Sequence, residues 1–208
     1  MNLANLSVNE FIKVTASKEP VPGGGSISAL CAALSAALSE MVAGLTIGRK
    51  KYVEVEEEMT RLKAYFEEKQ GVLIKCIDED SDAYNEVFAA FKLPKETEEE
   101  QTIRAEKIQT ATKYAAEVPL KVAQTAYEMM ESIMTIAEKG NQNAVTDACV
   151  AMMCARTAVL GALLNVRINL SSINDTDYVA KMVETCNALE ANALQTEGKL
   201  LTWIKTVL

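Results

Sequence analysis

No histidine occurs among the 208 residues of this chain, and aromatic residues make up only 5% of it. The absence of imidazole excludes Ser-His-Asp triads, histidine general bases and the common His-ligated zinc sites. Proton transfer must then use carboxylates, lysines, cysteines, tyrosines or water. A metal centre is not predicted, because only a carboxylate site would remain and no such ligand set is evident.

The five cysteines form no C-x-x-C pair, and their number is odd. This pattern indicates neither a disulfide framework nor a thiolate metal site, and it is typical of reduced thiols packed as small hydrophobic groups. The N-terminus also lacks a basic segment followed by an apolar stretch, so a secretory signal is not predicted. We therefore expect a cytoplasmic protein.

Basic residues are the minority, 21 against 29 acidic ones, which gives a net charge of −8. A field of that sign repels phosphate backbones and anionic membrane surfaces, so we expect neither a nucleic acid nor a membrane as a partner. Two strongly apolar windows, 27–47 and 148–166, contain Glu40 and Arg156 and are rich in small residues. They are interpreted as core helices rather than membrane spans, and the two charges as a candidate buried ion pair.

Helical periodicity dominates the chain, because apolar residues recur every three or four positions in each long segment and no period of two persists. Capping boxes at Ser7 and Thr97, together with prolines and glycines, indicate the boundaries. The predicted helices cover residues 8–17, 26–48, 53–93, 97–117, 119–139, 144–168 and 176–205, with a candidate kink at Gly71. We expect one all-α domain over residues 1–208, an up-and-down bundle of about six helices. Two helices are apolar on nearly every face, which predicts that a homodimer shares them.

Three glycines and a serine, Gly23, Gly24, Gly25 and Ser26, lead directly into the second predicted helix. Free N–H groups and the positive end of the helix dipole at such a start attract an anion or a carbonyl oxygen. The alternative is structural: the glycines permit a tight turn and close packing, and Ser26 caps the helix. Neither a Walker loop nor a dinucleotide fingerprint matches this segment.

Four acids, Asp78, Glu79, Asp80 and Asp82, occupy five positions of an otherwise amphipathic helix. At ~100° per residue, Asp78 and Asp80 point about 160° apart, so at least one acid faces inward. An inward carboxyl has its pKa raised by burial and can shuttle protons in a protein without imidazole. A solvated acidic face is the alternative interpretation.

Polar residues flank the apolar helix predicted at 144–168. Asn141, Asn143 and Asp147 lie at its entry. Asn165 and Asn169 lie at its exit and share one helix face at i and i+4. Amides both donate and accept hydrogen bonds, which suits recognition of a lactam-like heterocycle. Ordinary helix capping is the alternative.

Seven short segments occur in order along essentially the whole chain. They are PVPGGGS at 20–26, GRKKY at 48–52, DEDSDAY at 78–84, LPKET at 93–97, EVPL at 117–120, GNQNAVTDA at 140–148 and NVRINL at 165–170. Together they resemble the cyclodeaminase family, which comprises the C-terminal domain of formimidoyltransferase-cyclodeaminase and its free-standing bacterial relatives. No formimidoyltransferase domain is present, so the chain resembles the free-standing form.

The resemblance implies an all-helical homodimer that closes 5-formimidoyltetrahydrofolate to 5,10-methenyltetrahydrofolate with loss of ammonia. In some relatives the favoured reaction is hydrolysis of the methenyl bridge to 10-formyltetrahydrofolate. The family's catalytic aspartate is the second acid of its D-x-D-A-x-A-F segment, which falls on Asp80, with Asp78 as the first acid and modulator. Ser81, Asp82 and Tyr84 stand where Ala, Glu and Phe are more usual. No cofactor beyond the tetrahydrofolate substrate is implied.

A folate carries an anionic tail of one or more glutamates, and an acidic protein must offer that tail a local cationic site. Arg49, Lys50 and Lys51 form the densest run of cations and are the candidate tail site, unless they only stabilise a helix C-terminus. The glycine loop is a candidate for binding pterin or tail oxygens, and the asparagines around the apolar helix for reading the pterin edges. A bundle that binds a folate or a partner protein without catalysis is the competing hypothesis.

Overall fold

Six α-helices make up most of the computed structural model, which describes residues 2–208. They are α1 (Val8–Thr15), α2 (Gly24–Thr46), α3 (Glu56–Phe91), α4 (Glu98–Lys139), α5 (Val145–Leu170) and α6 (Thr176–Ile204). Short 3₁₀ turns cover Leu3–Asn5, Lys50–Val55 and Gln142–Ala144. No strand occurs within residues 2–208, and the prediction of an all-α fold is confirmed.

Local signals place several helix ends where the sequence predicts them. Ser7 and Thr97 each accept a hydrogen bond from a backbone N–H three residues later, while Glu10 and Glu100 reach back to complete both capping boxes. Gly48 follows the end of α2 with φ of 73°, a left-handed conformation that glycine adopts without a steric penalty.

The small side chains of α2 place it in the middle of the bundle, where it packs against α3, α4 and α5. Its alanines lie in contact with neighbouring helices, and Ser35 Oγ donates a hydrogen bond of 2.7 Å to the Ala151 carbonyl of α5. Helices α2 and α5 are antiparallel, because Gly24 lies beside Asn165 and Thr46 bonds Asn141. The start of α2 and the end of α5 therefore share one end of the bundle.

A single helix α4 replaces the two helices predicted at 97–117 and 119–139. Pro119 lies inside it and cannot donate the hydrogen bond that the Ala115 carbonyl would normally receive. The side-chain amide of Asn169, from α5, donates to that carbonyl at 3.0 Å instead. The predicted break was wrong because a residue 50 positions away in sequence supplies the missing donor.

Helix α3 runs without interruption through Gly71, where the sequence suggests a kink. Gly71 is exposed, and a β-carbon built there meets no atom within 4 Å. Its only contribution is the extra backbone freedom that glycine gives the unfolded chain.

We expect Gly71→Ala to raise the free energy of unfolding by about 0.5–1 kcal/mol, because alanine restricts the unfolded chain and fits the helix. Chemical denaturation measures this change. Gly140→Ala is the contrasting variant and should destabilise the fold, since a β-carbon there lies 2.5 Å from the Ile136 carbonyl oxygen. A destabilised Gly71→Ala protein would contradict the continuous helix.

The two charges in the apolar helices do not pair with each other. Glu40 binds Lys63 of α3 at 3.0 Å, and Arg156 binds Glu197 of α6 at 2.9 Å. The predicted Glu40–Arg156 pair was wrong because each side chain has a different partner, Glu40 on α3 and Arg156 on α6.

Apolar side chains lie exposed along the solvent side of the same two helices. We call them the α2–α5 surface, and they are Leu34, Met41, Leu45, Val150, Met153, Leu164 and Ile168. The helical stretches Gly24–Thr46 and Gln142–Leu170 are long and apolar enough to cross a membrane by length and composition alone, and half of each apolar window is buried inside the bundle.

Candidate active site

A cavity of about 290 Å³ opens at the end of the bundle where α2 begins and α5 ends. Its lining comes from the loop before α2, the first turn of α2, the C-terminal half of α3, one residue of α4 and the last turns of α5. The lining residues are Pro20, Val21, Gly23, Gly24, Gly25, Asp80, Tyr84, Val87, Ala115, Asn165, Ile168 and Asn169. Asp80 supplies the sole carboxyl group of this lining.

Asp80 confirms that one acid of the 78–82 cluster faces inward. Its Oδ2 accepts a hydrogen bond of 2.9 Å from Ser26 Oγ, in the first turn of α2. Burial raises the pKa of Asp80 above its ordinary value, and this effect outweighs the hydroxyl and backbone N–H of Ser26, which lower it. The carboxyl is thus easier to protonate than a solvated aspartate.

Ser26 can serve both protonation states of Asp80. Besides Asp80, its Oγ lies 3.0 Å from the Ile77 carbonyl oxygen and 3.3 Å from Ser81 Oγ. A hydroxyl has one hydrogen and two lone pairs. Ser26 donates to an ionised Asp80, and when Asp80 is protonated it can donate to Ile77 and accept from the acid. Asp80 can therefore gain or lose its proton without displacement of any heavy atom.

The glycine loop lets the carboxyl approach the backbone of α2. A β-carbon on Gly25 would lie 2.0 Å from Asp80 Oδ1, which no side chain can tolerate. A β-carbon on Gly24 would lie 3.1 Å from Asn165 Nδ2, whereas one on Gly23 would meet only the Pro20 carbonyl oxygen at 3.5 Å. The close approach of the Asp80 carboxyl requires glycine at position 25. Position 23 has the most space for a side chain among the three glycines.

Two amides from α5 complete the polar lining. Asn165 Nδ2 donates to the Gly161 carbonyl at 2.8 Å, and Asn169 Nδ2 donates to the Asn165 carbonyl at 2.9 Å. Both side chains line the cavity, and their Oδ1 atoms can accept hydrogen bonds from a ligand. The exit group of the sequence analysis therefore lies at the site.

Asp78 points away from this cavity. Its carboxylate accepts hydrogen bonds from the backbone N–H groups of Leu3 at 2.6 Å and Ala4 at 3.5 Å. Asp78 therefore holds the N-terminal turn against α3. Within one chain it does not line the cavity that contains Asp80. Asp82 is exposed, and Glu79 pairs with Lys121 at 3.0 Å.

The other sequence-predicted residues gather at the opposite end of the bundle. Arg49, Lys50 and Lys51 are exposed in the turn after α2, and Asn141, Asn143 and Asp147 lie beside them at the start of α5. Asn141 binds the end of α2 through the Leu45 carbonyl and the Thr46 hydroxyl, both at 2.9 Å. The 23 residues from Gly24 to Thr46 span about 33 Å, because each step between neighbours adds about 1.5 Å. In a single chain these residues cannot contact a ligand beside Asp80.

Sequence reasoning missed half of the cavity lining. Tyr84 and Val87 lie four and seven residues after Asp80, and that helical spacing was a signal for both. Asn169 was not missed, because the sequence analysis places it on the same helix face as Asn165. No sequence pattern predicts Ala115 in the lining, because only the packing of α4 against the other helices places it at the cavity.

A larger hollow of about 610 Å³ lies between the end of α3 and the start of α4, lined by residues such as Ala90, Ala111 and Tyr114. Its one carboxyl, Glu86, is exposed. The smaller cavity is the better candidate for chemistry because its carboxyl, Asp80, is partly buried and has a raised pKa. Among residues 2–208, no group of three or more Cys, Asp or Glu side chains could hold a metal ion.

Known proteins resemble this chain along its length. The family model described as Formiminotransferase-cyclodeaminase matches residues 7–188. A methenyltetrahydrofolate cyclohydrolase of Methylorubrum extorquens is 36% identical over 202 residues, which cover 97% of each chain. The formimidoyltransferase-cyclodeaminase of Rattus norvegicus is 34% identical over 86% of this chain, which corresponds to 33% of the rat protein. The crystal structure of formiminotetrahydrofolate cyclodeaminase from Thermotoga maritima superimposes with a TM-score of 0.88 at 30% identity, over 98% of both chains. The chain belongs to the formiminotransferase-cyclodeaminase family.

Proposed function

We propose that this chain is an enzyme of folate one-carbon chemistry that converts 5-formimidoyltetrahydrofolate to 5,10-methenyltetrahydrofolate and ammonia. One observation carries the proposal: a largely buried carboxyl, Asp80, lies in a cavity between the glycine loop and two amides. The family supports this class of reaction, since its members named above are a cyclodeaminase and a cyclohydrolase of folates.

Cyclisation requires one proton to move between two nitrogens of the substrate. N10 attacks the carbon of the protonated formimidoyl group, and ionised Asp80 takes the proton from N10 as the new C–N bond forms. Protonated Asp80 then gives that proton to the departing nitrogen, which leaves as ammonia while the methenyl cation forms. A carboxyl whose pKa is raised by burial can act first as base and then as acid.

The surrounding groups suit the substrate's heterocycle. Asn165 and Asn169 offer amide oxygens to ring N–H groups, and the first-turn N–H groups of α2 suit a carbonyl oxygen. We assign Gly23, Gly24, Gly25 and Ser26 to this positioning role. Asp78 acts on Asp80 only through the helix that they share.

Hydrolysis of 5,10-methenyltetrahydrofolate is the second candidate, supported by the 36% identity to the cyclohydrolase across 97% of both chains. In that reaction Asp80 takes a proton from water as the oxygen attacks the methenyl carbon. It returns this proton to N5 as the C–N5 bond breaks, and the second proton of the water is released to solvent. The product is 10-formyltetrahydrofolate.

An assay with both folates tests the proposal. Gain of the methenyl absorbance from 5-formimidoyltetrahydrofolate, with release of ammonia, is the expected result. Faster loss of that absorbance from added 5,10-methenyltetrahydrofolate would favour the cyclohydrolase instead. Binding of both folates without turnover of either would contradict the enzyme and support the non-catalytic bundle.

We also propose that the protein is a homodimer joined through the α2–α5 surface. This surface consists of seven exposed apolar side chains, and leaving it in water costs about 25 cal/mol per Å² of apolar area. A second copy covers it and accounts for the two helices that are apolar on both their inner and outer sides.

The free thiols of all five cysteines are consistent with the cytoplasmic location that we propose. We propose no cofactor beyond the folate itself.

The dimer supplies the one route by which the distant cations can serve the site. A two-fold axis perpendicular to α2 reverses the direction of the helix in the second copy, so the start of α2 in one subunit lies beside its end in the other. Lys50 of the partner subunit and Lys51 of the partner subunit then approach the end of the bundle where α2 begins. There they can bind the outer glutamates of a polyglutamylated tail.

We expect Lys50→Glu combined with Lys51→Glu to raise the KM for polyglutamylated folate by roughly three- to tenfold, the size of a few exposed ion pairs. The KM for the monoglutamate should change much less. Steady-state kinetics with both substrates measure the difference. Lys199→Glu combined with Lys205→Glu changes the same charge on α6 and should affect neither KM; equal effects of the first pair on both substrates would remove the tail assignment.

A further inference from the structure

Three aromatic side chains lie exposed on α3 immediately beyond the cavity. Tyr84, Phe88 and Phe91 are 41%, 50% and 51% exposed, respectively. Steps of four, four and three residues from Asp80 place all three on the face of α3 that carries Asp80. We call them the aromatic stripe. Tyr84 also lines the cavity, so the stripe continues the site along the α3–α4 hairpin.

Two rings of the stripe, Tyr84 and Phe88, are nearly parallel and partly exposed. Tyr84 and Phe88 are stacked, with centroids 6.4 Å apart and planes inclined by 13°. Their exposed edges and the remaining free faces suit a further aromatic ring, which gains an edge-to-face or offset contact in addition to the burial of apolar area. The chain has only ten phenylalanine and tyrosine residues in total, and three of them lie exposed on this one helix face.

Two cations lie at the far end of the stripe. Lys92 Nζ lies 4.0 Å from the centroid of Phe88, and the guanidinium carbon of Arg104 lies 5.6 Å from that of Phe91. Arg104 also donates to the Phe91 carbonyl at 3.1 Å. Within residues 2–208 neither cation forms an ion pair with a carboxylate. Both therefore remain available to an anion, in a chain whose net charge is −8.

The size of the cavity requires part of the substrate to lie outside it. Its volume of about 290 Å³ is at the lower limit of pockets that enclose a drug-sized ligand, about 300–1,000 Å³. A folate is a pterin joined to an aromatic p-aminobenzoyl ring and then to a glutamate. A cavity of this size accommodates the pterin and the reacting nitrogens, and the remaining ring and carboxylates must extend through the opening.

Given the proposed function, we propose that the aromatic stripe binds the p-aminobenzoyl ring of the folate and that Lys92 and Arg104 bind the carboxylates of its first glutamate. The order of groups along the hairpin matches the order along the substrate: an acid at the reacting atoms, then aromatic rings, then cations. Asp80 and Lys92 are twelve residues apart, about 18 Å along the helix axis. The aromatic stripe and its two cations belong to the same subunit as Asp80, whereas the cations that follow α2 reach the site only from the partner subunit.

Binding of p-aminobenzoylglutamate, measured by isothermal titration calorimetry on the full chain, tests this site without any turnover. We expect Phe88→Ala to weaken binding about five- to tenfold through the loss of stacking. Lys92→Glu should weaken it at least tenfold, because an attraction becomes a repulsion. Phe88→Tyr keeps a ring and should restore most of the affinity. Lys107→Glu makes the same charge change on the same hairpin, but beside the larger hollow, and should bind as wild type does.

Kinetics with monoglutamyl substrate provide the second readout: Phe88→Ala and Lys92→Glu should raise KM by these same factors and leave kcat within about twofold. Wild-type affinity and KM in both variants would overturn the proposal, and so would a loss of binding that accompanies dissociation of the oligomer in light scattering. An inactive wild-type protein would refute the proposed function alone, because the titration reports on the stripe independently.

Discussion

Replacing Asp80 with asparagine is expected to lower kcat by about 10²–10⁴-fold, the usual contribution of a positioned acid–base group. Asparagine has nearly the same shape and can still bond Ser26 Oγ, but it can neither take the proton from N10 nor deliver one to the leaving nitrogen. Binding of the folate should change little, because the cavity lining is otherwise intact. Stopped assays for ammonia and the methenyl chromophore, with calorimetry for binding, separate these two effects.

The same substitution should increase stability at neutral pH. The raised pKa of Asp80 means that the folded protein binds this proton more tightly than the unfolded chain does. The free energy of unfolding therefore falls as the pH rises from the unfolded pKa through the folded one, and the ionised carboxylate costs stability above that window. Asparagine removes this cost, so Tm should rise at pH 7, and the advantage over the wild type should shrink as the pH is lowered into the window.

Asp78→Asn is the matched control, since it makes the same chemical change two residues away. Its carboxylate bonds the N-terminal turn, so the expected loss is in stability, with kcat close to that of the wild type. An Asp80→Asn enzyme with normal turnover would refute the mechanism.

The second large effect is expected from Gly25→Ala. The added β-carbon would lie 2.0 Å from Oδ1 and 2.5 Å from Cγ of Asp80, so either the carboxyl or the first turn of α2 must move. Displacement of a reacting group by about 1 Å costs roughly 100-fold in rate, and we expect kcat to fall by at least that factor. The pH dependence should shift as well, because a displaced carboxyl loses its bond to Ser26 and part of its burial.

Gly23→Ala provides the control within the same loop. Its β-carbon meets nothing closer than 3.5 Å, and φ at this position is −110°, which alanine adopts freely. Activity and Tm near the wild-type values are expected, because alanine keeps the backbone N–H through which we assign Gly23 to positioning. Kinetics and thermal unfolding of the two variants, measured side by side, distinguish a displaced carboxyl from general sensitivity of the loop. Wild-type kcat in Gly25→Ala would mean that the carboxyl does not lie against α2.

The helix boundaries show how much local sequence determines. Ser7, Thr97 and Gly48 act on backbone groups only a few residues away, so their effects can be predicted without knowing the fold. The 3.6-residue period likewise predicts helices and an all-α class, since it needs only one apolar side for each segment. Pro119 is the contrary case, because its tolerance depends on Asn169.

The candidate site divides in the same way. Helical spacing alone shows that Asp78 and Asp80 face in different directions, but not which of them faces the cavity. The tertiary packing decides this, because α2 packs against Asp80 while the N-terminal turn binds Asp78. Nor could the sequence show that the glycine loop and Asn165 meet, whereas Arg49 and Asn141 lie about 33 Å away. Residue types and their spacing along one helix are local properties. Which helix ends come together depends on the antiparallel packing of α2 and α5, and that is a property of the whole core.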